Sequence, residues 1–117
     1  MTDLEEYAKQ LGPDWAEALV QFLPPHMHGG ILRYVLYGIP AGDFLHAVVG
    51  NDLFAALGKA DDLNRARIYD YCLFFHNYAP SSCFGSHVKR DAWIAAGGVM
   101  GKQAANAKAE QEAEANP

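Results

Sequence analysis

A chain of 117 residues, half of them apolar and a fifth charged, has the size and composition of one globular domain, with no room for a second full core. A chain of that length buries roughly two-thirds of the surface its unfolded form exposes, so neither a metal nor a disulfide is required for folding. The net charge of −5 is spread over scattered residues, with Lys89-Arg90 the only adjacent basic pair. That excludes charge-driven nucleic-acid binding, which needs clustered Lys and Arg, and it is too dilute for an acidic DNA mimic.

The first residues, MTDLEEYAKQ, are acidic and amphipathic, without the basic start and apolar run that export requires. No run of about 18 apolar residues occurs, so no transmembrane helix is expected. A cytoplasmic setting follows as the expectation. Cys72 and Cys83 are then two free thiols, a bridge between them being the lesser alternative.

Thr2 and Glu5 have the spacing of a capping box, which predicts a helix from Asp3 that Gly12-Pro13 ends. Pro13 and Asp14 open a second helix, with Leu19, Phe22 and Leu23 on one face, and Pro24-Pro25 close it. The HMHGGILRYVLYG segment carries an apolar stripe of Ile31, Leu32, Val35 and Leu36, and Gly38 stands where a left-handed C-cap belongs. Its glycine pair at 29 and 30 weakens the helix start by roughly 1 kcal/mol per residue relative to alanine. Two short helices follow, one facing inward through Phe44, Leu45, Val48 and Val49, the other through Leu53, Phe54 and Leu57, with Gly50-Asn51-Asp52 as C-cap and N-cap between them.

Asp61 or Asp62 caps the longest expected helix, about residues 62 to 78, which is apolar almost all round from Ile68 onward. Apolarity on every side predicts that this helix runs through the centre of the domain. Residues 79 to 85 read as a loop, and Ser86 caps a last helix closed by Gly97-Gly98. From residue 99 the chain turns rich in Ala, Glu, Gln and Lys, with helix propensity but nothing large to bury, so a solvated helical or disordered tail is expected. The expected fold is therefore all-α: about six short helices around a central helix, forming one domain over residues 1 to 98, with a tail over 99 to 117.

The sharpest chemical pattern is Cys72-x3-His76 followed by Cys83-x3-His87. Cys72 and His76 project from one helix face, and two thiolates with two imidazoles are a suitable ligand set for tetrahedral zinc. The spacing is not that of a standard finger, however. The competing reading, taken here, places Cys72 in the core and leaves the histidines as ordinary polar residues near helix ends, with no metal or cofactor. His26 and His28 at a helix start point in different directions and share no target. Cys83 with Ser81, Ser82, Ser86 and His87, and Asp70 or Asp91 as the acid, contains the residue types of a nucleophilic site, but no spacing selects them. No phosphate loop, nucleophile elbow or paired-carboxylate motif occurs, so no enzyme activity is expected.

The aromatic content is high, and not every tyrosine can be core: Tyr37 lies off the Leu32–Val35–Leu36 stripe, and Tyr69 and Tyr71 cannot share a helix face. Outward Tyr with Arg is the composition of binding hot spots, which makes Arg33, Tyr37, Arg65, Arg67 and Tyr69 the candidate partner contacts.

The stretch RYVLYGIPAGDFLHAVVGNDL, with the later NYAPSSCFGS and Trp93, resembles small bacteriophage and prophage proteins that carry an R-Y-V-x-x-G-I-P-x-G-x-F-L-x-A-V-x-x-N-D-L pattern. The matching residues are Arg33, Tyr34, Val35, Gly38, Ile39, Pro40, Gly42, Phe44, Leu45, Ala47, Val48, Asn51, Asp52 and Leu53, and the likeness spans about residues 24 to 98. It brings no catalytic residues. What it implies is a setting: small phage accessory proteins commonly bind and disable a host protein, including CRISPR and other defence complexes. The expected function is such an anti-CRISPR-like inhibitor acting on a host protein or defence complex, as a monomer or homodimer; the alternative is a small-molecule- or zinc-binding helical protein.

Overall fold

The computed structural model describes residues 2–115, which form nine α-helices and one 3-10 turn without a strand. The helices are α1 (Asp3–Leu11), α2 (Pro13–Phe22), α3 (Pro25–Tyr37), α4 (Asp43–Val49), α5 (Leu53–Lys59), α6 (Asp62–Arg65), α7 (Ile68–Tyr78), α8 (His87–Ala96) and α9 (Gly98–Ala115), with the turn at Ser81–Cys83 before α8. The all-α expectation holds, and most helix starts lie where the local chemistry places them. Thr2 accepts from the Glu5 amide, Asp52 from Ala55, Asp61 from Asn64 and Ser86 from Lys89, each satisfying an amide that the first helical turn leaves without a partner. Gly38 and Gly97 end α3 and α8 in the left-handed region, as glycine does without steric cost. Between α4 and α5 the left-handed residue is Asn51 (φ 59°), while Gly50 remains right-handed.

The most deeply buried helix is α3. Ile31, Tyr34, Val35 and Leu36 are fully inaccessible, and α1, α2 and α9 pack around it. The segment expected as one helix over 62–78 is two: α6 ends at Arg65, and α7 begins at Ile68 after Arg67 leaves helical geometry (φ −113°, ψ 12°). Asn64 is buried at that break and accepts a 2.6 Å hydrogen bond from the Tyr71 hydroxyl. Only one stripe of α7 enters the core, Tyr71, Phe74 and Phe75 with Tyr78 partly buried, at the i, i+3, i+4, i+7 spacing of one face. Tyr69, Cys72, Leu73 and His76 face outward. Apolarity all round α7 thus reflects an apolar outer surface rather than burial on every side.

Buried polar tips lock the helices in register. The Tyr7 hydroxyl donates to the Tyr78 carbonyl (2.7 Å), the Tyr34 hydroxyl to the Cys83 carbonyl (2.6 Å), and the Trp93 indole N–H to the Tyr34 carbonyl (3.0 Å). Each bond joins segments distant in sequence, and no fully buried side-chain nitrogen or oxygen among the described residues lacks a partner. In α9, Val99 and Met100 pack against the core, while Lys102 to Glu114 are exposed along the rest of the helix. The expected tail is helical through Ala115, and residues 116 and 117 lie outside the described residues.

Candidate functional site

The outer face of α7 forms one wall of a groove of about 400 Å³, opposite the end of α4 and the loop before α8. Val48 and Asn51 line it from one side, Tyr69, Cys72, Leu73 and His76 from α7, and Phe84 and Gly85 close it. A smaller hollow continues from Val48, Asn51 and Cys72 toward α5, where Leu53, Ala56 and Ile68 line it. Lys89 places its ammonium 5.6 Å from the centre of the Phe84 ring, a cation–π contact at the rim. The surface is mainly apolar, with Asn51, Asp52 and His76 as its polar points.

Helix α5 extends this surface. Ala56 faces the core, and Leu53, Leu57 and Phe54 turn successively away from it. The sequence reading placed these three inside; instead Leu53 is 56%, Leu57 44% and Phe54 87% exposed. The reason is one of size: a seven-residue helix packed mainly on α4 can cover only one of its sides. Tyr69, 72% exposed, stands on the α7 side. With roughly 150–250 Å² per aromatic, Phe54 and Tyr69 each leave more than about 100 Å² of mainly apolar surface uncovered.

Of the expected contact residues, Tyr69 lines this groove, and all five are exposed. They do not gather at one spot. Arg67 pairs with Asp70 at 3.2 Å and lines a different hollow beside α2, and Arg65 pairs with Asp62 at 2.7 Å. Arg33 and Tyr37 belong to α3 and line neither cavity, the Tyr37 hydroxyl donating instead to Asp3 at 3.4 Å. Desolvation, followed by the neighbouring Asp3 and Glu6 carboxylates, raises its pKa. Phe54, Leu53 and Leu73 were absent from the sequence-level candidates because their apolar character is that of core residues; only the absence of a covering element distinguishes them.

The candidate zinc ligands do not converge. Cys72 and His76 share the groove, as their i, i+4 spacing requires, but Cys83 is fully buried and His87 lies 3.8 Å from Asp52. No group of three or more His, Cys, Asp or Glu among the described residues is placed to hold a metal ion. Both cysteines are free thiols, and Cys72 is exposed rather than core. Burial pushes the Cys83 thiol up to about 12, so it stays protonated and is a poor nucleophile. Among the other histidines, His26 meets Asp61 at 3.2 Å and His28 meets the Leu23 carbonyl at 2.7 Å, two separate targets. Backbone amides, chiefly that of Asn64, hold the Asp61 carboxyl below its ordinary range, with His26 adding to the effect.

Among the described residues no helix is long and apolar enough to cross a membrane. The chain matches no protein-family model, no curated protein and no solved structure.

Proposed function

We propose that this chain is a non-enzymatic accessory protein of the phage or prophage type that acts by binding a host protein, a bacterial defence complex being the target class. The observation that carries this reading is the apolar face made by α5 and α7, with Phe54, Leu53, Leu57 and Tyr69 exposed beside a groove of about 400 Å³. Exposed apolar side chains of this kind gain on the order of 25 cal/mol for each Å² of apolar surface a partner covers. Aromatic anchors around a central hollow are the arrangement that concentrates binding energy in a few residues. The resemblance of the Arg33–Leu53 stretch to phage proteins supplies the biological setting.

The test is affinity capture from a lysate of the host bacterium, using the native chain beside a Phe54→Ser/Tyr69→Ala variant. The expected result is one stoichiometric host protein retained by the native chain and released by the variant. Capture of nothing, or capture indifferent to both substitutions, counts against this reading.

A further inference from the structure

On the other side of Leu73 lies a second trough, formed where α2 packs on α7. Phe22 stacks on Tyr78 with ring centres 6.3 Å apart, Ala18 and Leu73 flank them, and Gln21 and Asn77 are the uncharged polar residues beside this apolar group. The trough continues past Phe22 into a hollow of about 450 Å³ lined by Val20, Pro24, Pro25 and Leu63. Val20, Phe22 and Leu63 are exposed although each is large and apolar. Leu73 lines both this trough and the groove of Cys72, so it forms the ridge between them.

The rim differs from that of the first groove in its charge. Asp14 and Glu17 stand on the α2 side and Asp70 on the α7 side, and Arg67, the one cation among the described residues that line the trough, is held by Asp70 at 3.2 Å. No ion pair engages Asp14 or Glu17 among the described residues. Helix α1, packed on α2, adds Asp3, Glu5 and Glu6 against Lys9 alone, so α1 and α2 together hold five acidic residues and one basic. Apolar side chains beside the unpaired carboxylates of Asp14 and Glu17 select an occupant with apolar residues and positive charge.

We propose that the α2–α7 trough is a docking site for a basic amphipathic helix. Its apolar side chains lie on Phe22, Tyr78 and Leu73, and its Lys or Arg residues face Asp14 and Glu17. Apolar residues at i, i+4 and i+7 match a floor of this kind, as in other helix-in-groove recognition. The acidic edge sets the direction of the charge preference and speeds encounter. This surface meets the first groove at the Leu73 ridge, and the proposal does not depend on what occupies that groove.

The experiment is fluorescence anisotropy of a labelled amphipathic peptide with Leu and Phe on one face and lysines on the other, beside the same peptide with glutamates for lysines. The native chain is expected to bind the lysine peptide at least about tenfold more tightly than the glutamate peptide, and more weakly as salt rises. In an Asp14→Asn/Glu17→Gln variant, two exposed changes whose folding circular dichroism verifies, that preference is expected to collapse. Phe22→Ala is expected to weaken both peptides alike. Failure of the lysine peptide to bind, equal binding of the two, or an undiminished preference in the Asn/Gln variant overturns the proposal. So does self-association through Phe22 that excludes the peptide, which would make a second copy of this chain the occupant.

Discussion

Gly38 and Gly98 meet backbone to backbone: a Cβ on Gly38 would lie 2.8 Å from the Gly98 amide nitrogen, and one on Gly98 would lie 2.6 Å from that of Gly38. Both adopt left-handed geometry, at φ 66° and 69°, so each position refuses a side chain twice, through the backbone and through the contact. This approach docks the end of α3 on the junction of α8 and α9. Gly38→Ala and Gly98→Ala are each expected to cost about 2–4 kcal/mol, combining left-handed strain with displacement of a packed backbone. Thermal melts should show a drop of roughly 10–20 °C for either variant. Gly58, where a Cβ would meet open space within α5, is the control: Gly58→Ala should hold or raise stability.

The tyrosine hydroxyls make a second prediction. Tyr34→Phe leaves the buried Cys83 carbonyl without that donor, and Tyr71→Phe does the same to Asn64 Oδ1. Each substitution is expected to cost about 1–3 kcal/mol in urea unfolding, since a buried acceptor loses its partner. Asn64→Leu with Tyr71→Phe removes both members of the pair, and should recover part of the Tyr71→Phe loss.

The two thiols should differ sharply. A thiol reagent at neutral pH is expected to label Cys72 in the native protein and to reach Cys83 only on unfolding. Burial raises the Cys83 pKa from 9.0 to about 12 and also raises those of Tyr7, Tyr34 and Tyr71. In every case the native state keeps a proton that the unfolded chain releases at lower pH. Stability from these groups is therefore whole below about pH 9 and declines as the pH climbs toward 12. Urea midpoints measured from pH 7 to 11 should be level at first and then fall. A midpoint that rises above pH 9 would contradict this placement of the four groups.

Much of the framework was legible along the chain. Thr2, Asp52, Asp61 and Ser86 mark helix starts because capping is a contact between residues three apart, and Gly12-Pro13 and Gly38 mark ends for equally local reasons. The break at Ala66-Arg67 carries no such mark, having neither glycine nor proline; it accompanies the burial of Asn64 under the distant Tyr71 hydroxyl.

Nor could the pattern rank one apolar helix above another. Both α3 and α7 are rich in large apolar residues, yet α3 is enclosed by α1, α2 and α9, whereas α7 keeps Tyr69, Cys72 and Leu73 at the surface. Sequence by itself determined the helical class, the capping residues and the freedom of Tyr37 and Tyr69 from the core, all consequences of local geometry and helical period. Which apolar faces are covered was decided only by tertiary structure, because burial depends on what lies opposite a face. At Phe54, Leu53 and Phe22 no other element of the described chain covers the face, and both proposed docking surfaces rest on that exposure.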